Sequence, residues 1–221
     1  MCLFCNSHTH KESSEKGIEV INLFPDEYPY RMRSERLYSI GIHPWYADAE
    51  YDDVFLKKVS TAAELPQVVA IGETGIDRVR GGIASIEYQK KNFIKHIEIS
   101  VLVEKPMILH CVKAYSDVLQ LRKQYFTENT WVLHGFNANR IIANQLIKSG
   151  CALSFGPEVL NINSNAAKAA AVTPVEYLLV ETDNSDTDIE QIYMTISKLK
   201  NIQLFEMKQL IENNFKRIFR L

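Results

Sequence analysis

Net charge, cysteine and long apolar runs are all scarce in this chain of 221 residues. Its 27 acidic and 25 basic residues leave a formal net charge of −2. That excludes the broad positive field of a nucleic-acid coat protein, while local phosphate binding stays open. No run approaches the roughly twenty apolar residues that span a bilayer. The opening MCLFCNSHTH also has neither a basic start nor a long apolar stretch. A cytoplasmic protein with no membrane association is expected. The four cysteines, Cys2, Cys5, Cys111 and Cys151, sit mainly beside apolar strand-like runs, which suits reduced, buried thiols rather than disulfides. Cys2 and Cys5 form a Cys-x-x-Cys pair, but no second pair follows at zinc-knuckle spacing, and residues three apart on a strand face opposite ways. Gly-x-Gly-x-x-Gly and Gly-x-Ser-x-Gly patterns are missing too, which removes the sequence signs of a dinucleotide cradle and of a serine elbow.

What is present is rhythm. With 46% hydrophobic residues the chain can build a large core. From residue 68 onward, apolar runs of about five residues alternate with helical-period segments, the pattern of βα units on a parallel sheet. Strands are expected near 68–72, 106–110, 130–134, 151–155 and 177–181. Helices are expected near 85–104, 115–126, 139–149, 163–171, 188–199 and 205–219. In the last helix Phe205, Leu210, Phe215, Ile218 and Phe219 offer an apolar stripe. The first third gives strands at 2–7, 18–23 and 36–42, a helix at about 49–63, and a loop at 24–35 marked by two prolines. Eight strands with mostly helical crossovers point to a shortened (β/α)8 TIM-type barrel in which loops replace some early helices; a doubly wound open sheet is the alternative. No repeat or linker divides the chain, so a single domain over 1–221 is expected.

The chemistry lies in side chains distributed over those runs. His8 and His10 in Asn6-Ser7-His8-Thr9-His10 alternate, so on a strand both imidazoles face one way. Later apolar runs end in Glu73, His110, His134 and Asp183. In a barrel the C-terminal strand ends converge on one mouth, where catalytic sites are built. Four histidines and two carboxylates exceed one tetrahedral zinc site and suit two divalent ions, with Glu73 as the expected bridge. Such a centre serves hydrolysis, and Asp183 is expected either to ligate or to take the proton of the attacking water. His96, inside a helix, is read as a helix-face residue. Cys111 beside His110 cannot pair with it as a thiol nucleophile, because neighbours on a strand face opposite ways.

Seven motifs carry a resemblance: NSHTH at 6–10, GIHPW at 41–45, AIGETGID at 70–77, LHC at 109–111, LHGF at 133–136, SFG at 154–156 and LLVETD at 178–183. Together they resemble the TatD family of metal-dependent deoxyribonucleases over nearly the whole chain. The resemblance implies the barrel, the ligands His8, His10, Glu73, His110, His134 and Asp183, and water-driven cleavage of DNA phosphodiesters. The metal is expected among magnesium, manganese and zinc. By position, His43, Lys113, Asn137 and Arg140 are expected to bind substrate phosphate. Trp45, Tyr46, Tyr115 and Phe136 are candidates for stacking a base, whereas Phe155 is expected in the core. Two departures stand out: no helix is evident between the first strands, and Asn184-Ser185-Asp186-Thr187-Asp188 runs straight into a helix where relatives carry a Pro-rich loop. The mouth is therefore expected to differ from the family's, which leaves a hydrolase of a small ester, amide, lactone or phosphomonoester, or a metal-stabilised binding protein, as alternatives. DNA or another phosphate-containing substrate is the expected partner, with no obligate protein partner.

Overall fold

The computed structural model describes residues 3–12, 17–47, 52–80, 85–125 and 127–221. Among the described residues the strands are β1 Phe4–Thr9, β2 Gly17–Leu23, β3 Leu37–Ile40, β4 Val68–Asp77, β5 Met107–Val112, β6 Trp131–Leu133, β7 Cys151–Phe155 and β8 Leu178–Val180. They form one sheet in the order β1 to β8, and a parallel bridge from Asp183 to Thr9 returns the last strand to the first. This is the strand order of a (β/α)8 TIM-type barrel. The helices are α1 Asp52–Ala63, α2 Ile86–Leu102, α3 Tyr115–Gln124, α4 Arg140–Lys148, α5 Asn165–Val172, α6 Ile189–Lys200 and α7 Leu204–Phe219. Between β2 and β3 the connection is made of turns, as the prolines of 24–35 require. None of the helices among the described residues is long and apolar enough to cross a membrane. Cys2, and with it the Cys-x-x-Cys pair, lies outside the described residues, while Cys5, Cys111 and Cys151 are buried.

The chain divides into two compact units, one of Met1–Ile21 and Leu133–Leu221, the other of Asn22–Val132. In the second, β4 is longer than its apolar run implies and is buried along all ten residues. Gly72 and Gly75 make this possible. Their φ values are 140° and 138°, and a Cβ at either would meet the carbonyl oxygen of Ile108 at 2.2 Å or of His110 at 2.1 Å. Only glycine combines that backbone with so close an approach. Pairing with β5 thus continues through Gly75 opposite His110 to Asp77 opposite Val112, so Glu73 and His110 lie inside strands rather than at their ends. The core of this unit is filled by Phe93 and Trp131, rings 5.3 Å apart, with Tyr38, Ile71 and Ile76.

In the first unit α7 buries Met207, Ile211, Phe215, Ile218 and Phe219. Phe205 is exposed instead and Leu210 only half-buried, because Phe205 stands two residues before Met207 and so falls off a stripe that recurs every three or four. Asn214 donates from Nδ2 to the carbonyls of Val175 at 2.6 Å and Leu178 at 3.0 Å, fastening this helix to the start of β8. On α6 the buried Tyr193 hydroxyl accepts from the Cys5 N–H and donates to the Cys5 carbonyl, both at 2.9 Å. One hydroxyl therefore satisfies both backbone groups of a residue in β1. Tyr193→Phe leaves a buried donor and acceptor unmatched, and the expected loss is about 1–3 kcal/mol of unfolding free energy. Urea unfolding checks it; an unchanged midpoint would show that these bonds do not hold β1.

Candidate metal centre

The first unit gathers His8, His10 and Asp183 so that one ligand atom from each lies within 4.8 Å of the others. Asp183 Oδ1 is 3.6 Å from His8 Nε2 and 3.5 Å from His10 Nε2. Backbone bonds set that geometry: the Asp183 N–H donates to the His8 carbonyl at 3.1 Å, and the His10 N–H donates to the Asp183 carbonyl at 3.3 Å. Asp183 is thereby gripped between the two histidines, with a left-handed φ of 50° that aspartate tolerates better than most residues. One step earlier, Asn6 closes both sides of Thr182, accepting its N–H at 3.1 Å and donating to its Oγ1 at 2.8 Å. The alternation of His8 and His10 thus places two imidazoles beside one carboxylate, their rings 5.0 Å apart.

His134 follows β6 in the same unit. Its ring lies 4.4 Å from that of His8, and its Nδ1 is 3.3 Å from Glu181 Oε1. That oxygen also accepts the Gly135 N–H at 2.6 Å. Glu181, the first residue of the ETD triplet, is fully buried. Its partner on Nδ1 leaves Nε2 as the nitrogen of His134 suited to a metal.

The second unit gathers His43, Glu73 and His110 in the same way, with ligand atoms within 4.8 Å. Glu73 Oε1 is 3.1 Å from His43 Nε2 and 2.8 Å from His110 Nδ1. The Glu73 amide donates to Asn22 Oδ1 at 2.7 Å, which fixes the strand where the carboxylate departs. His43 accepts the Trp45 N–H on Nδ1 at 3.2 Å, so its ring proton belongs on Nε2, facing Glu73. His43 is turned inward to this carboxylate. The far side of His110 meets Asp77, with Nε2 3.2 Å from Oδ2. Burial pushes the Asp77 carboxyl up, but bonds from the Trp45 indole, the Arg80 and Val79 amides and His110 outweigh it and hold the group below its ordinary value.

The remaining predicted residues sit further out. Lys113 is exposed just after β5 with a left-handed φ of 54°. Arg140 is exposed at the start of α4. The side-chain carbonyl of Asn137 accepts the Ala166 N–H at 3.0 Å, which commits that oxygen to holding α5. Tyr46 is exposed, whereas Phe136 is buried with Phe155, ring centroids 5.8 Å apart, so it offers no face for stacking. Residue types and spacing left Asp77, Glu181 and Asn6 unassigned. Their polar character inside otherwise apolar runs was the available signal.

His8, His10 and Asp183 in the first set, and Glu73 and His110 in the second, suit divalent zinc or manganese, while His43, with both ring nitrogens engaged, supports Glu73. Residues 20–220 match a family model described as TatD related DNase. A metal-dependent hydrolase of Escherichia coli K12, YcfH, is 32% identical over 204 residues, which are 86% of this chain and 76% of the relative. A human protein, the 3'-5' RNA nuclease TATDN2, is 28% identical over 149 residues, 66% of this chain and 19% of its own length. The crystal structure of YjjV, a TatD homolog from Escherichia coli K12, shares the fold with a TM-score of 0.88 at 19% identity, covering 100% of this chain and 99% of that one.

His96 supplies the scaffold beneath His43. It is not the helix-face residue its position in α2 implies but is fully buried; Nδ1 donates to the Asn92 carbonyl at 2.8 Å, and Nε2 accepts the Ile42 N–H at 3.0 Å. Burial lowers its pKa to about 4. Because the folded value lies below the unfolded one, this stability is complete above about pH 6.5 and is lost as pH falls toward about 4. Between about pH 7.5 and about pH 5 the expected loss is about 2 kcal/mol. His96→Gln should lack that component when urea midpoints are compared at the two pH values. Parallel pH profiles in wild type and variant would refute it.

Proposed function

We propose, from the premise that this chain belongs to the TatD-related DNase family and is a metal-dependent hydrolase, that it cleaves phosphodiester bonds of DNA with two divalent ions. The observation that carries this reading is a pair of clusters, His8, His10 and Asp183 in one and Glu73 with His110 in the other, the second backed by His43 on Glu73. His134 stands beside the first. A divalent cation supplies Lewis acidity toward a phosphoryl oxygen and toward water.

The chain's own residues divide the remaining work. Asp183, pinned by its backbone between His8 and His10, is the carboxylate that aligns the attacking water and takes its proton. Glu73 holds its place through the donated N–H of His43 and the fixed strand at Asn22. Lys113 and Arg140, both exposed cations, and the amide of Asn137 serve phosphate oxygens. Base stacking falls to Trp45, Tyr46 and Tyr115, since Phe136 is buried. Support for a nucleic-acid substrate comes from the family description and from the nuclease named among its relatives.

Metal-stripped protein incubated with labelled single-stranded DNA and magnesium, manganese or zinc should cleave only with an ion. His110→Ala and Asp183→Asn should each lower the rate at least about 100-fold while remaining folded. Wild-type turnover in both variants would sink the mechanism. No cleavage with any ion would remove DNA and favour a small ester or phosphomonoester, assayed with chromogenic substrates.

A further inference from the structure

Asp77 closes the AIGETGID motif, four residues after Glu73 on β4. An even spacing puts both carboxylates on one side of the strand. His110 on β5 is in register with Gly75, midway between them. Its ring therefore meets one carboxylate on each flank, Nδ1 at 2.8 Å from Glu73 and Nε2 at 3.2 Å from Asp77.

We infer that Asp77 is a positioning residue that holds His110 by Nε2 and so leaves Nδ1, the nitrogen beside Glu73, to take a metal ion. The inference rests on the reading that Glu73 and His110 bind metal. A neutral imidazole donates from one nitrogen and offers a lone pair from the other, and the partner of the donating nitrogen decides which is which. Asp77 is built to make that choice. It is 2% exposed, so it is not a solvated surface acid. Its Oδ1 accepts the N–H groups of Val79 and Arg80, each at 2.8 Å. Its Oδ2 accepts the indole N–H of Trp45 at 2.8 Å as well as His110. Its own N–H donates at 2.8 Å to Oε1 of the fully buried Gln89 on α2. The carboxylate has no freedom to rotate away without breaking bonds on both oxygens.

The test measures zinc affinity by competition titration of metal-stripped wild type, Asp77→Asn, Trp45→Phe and His110→Ala. The titration step lost in His110→Ala identifies the ion to compare. Asparagine keeps an oxygen for Val79 and Arg80, so Asp77→Asn should stay folded by circular dichroism while that step weakens about 10–100-fold. Trp45→Phe removes a neighbouring bond to the same oxygen while keeping an aromatic ring beside His110 and the Asp77–His110 bond, and should bind zinc close to wild type. In zinc-loaded wild type, long-range proton–nitrogen spectra should place the His110 proton on Nε2. That last measurement decides the matter even if Asp77→Asn does not fold. A proton on Nδ1, undiminished affinity in Asp77→Asn, or an equal loss in Trp45→Phe would overturn the assignment. Wild type that takes up no divalent ion would overturn the metal reading and this inference together, an outcome distinct from a variant that binds as well as wild type.

Discussion

The return of β8 to β1 is the constraint on which the first triad depends. A barrel sheet has no free edge only if its last strand finds its first. Here the junction is short: β8 has three residues, and the chain beyond it is carried against β1 by Asn6 on Thr182 and by Asp183 between His8 and His10. The bonds that close the sheet are therefore the bonds that set the ligand spacing. A slip of one residue would turn His8 and His10 to the other face, so the register that Asn6 enforces also fixes which way both imidazoles point.

A second constraint governs β4 and β5. Two glycines with positive φ let the strands approach closely enough that backbone fills the space a Cβ would need. Glu73 and Asp77 consequently sit on a strand buried from Val68 to Asp77, with His110 paired beside them on β5. Side chains on paired strands are held more rigidly than side chains on loops. The cost is burial of carboxylates, which is tolerable only where hydrogen-bond donors converge on them. Asp77 receives four such donors, and Glu181 receives the Gly135 amide and faces His134.

Much of this was legible in the residues. Alternating apolar runs and helical segments gave the element order with bounds shifted by only a few residues, because strands buried on both faces and amphipathic helices leave distinct periods. The His8–His10 alternation announced a shared face, and Asp183 lies beside both rings. Less was readable where partners are remote in sequence. Nothing local says that Asn6 grips a residue 176 positions away, that His96 on a helix supports Ile42, or that Asp77 rather than solvent faces His110. Phe205 was misread for a different reason: it was placed in the apolar stripe of the last helix, while its phase relative to Met207 and Ile211 puts it outside.

The charge distribution bears on how a cation and a phosphodiester would be received. In each unit buried carboxylates accompany the histidines, Glu73 and Asp77 in one, Glu181 in the other with the half-exposed Asp183. Such groups draw a cation by Coulomb attraction in a partly dry setting and repel a phosphodiester by the same force. A net charge of −2 over the whole chain provides no compensating long-range pull on DNA. Lys113 and Arg140 are exposed and screened by salt, so each contributes weakly on its own. On the proposed reading, an anionic substrate would gain its main electrostatic partner only after divalent ions had offset the carboxylates, which would couple metal affinity to substrate affinity.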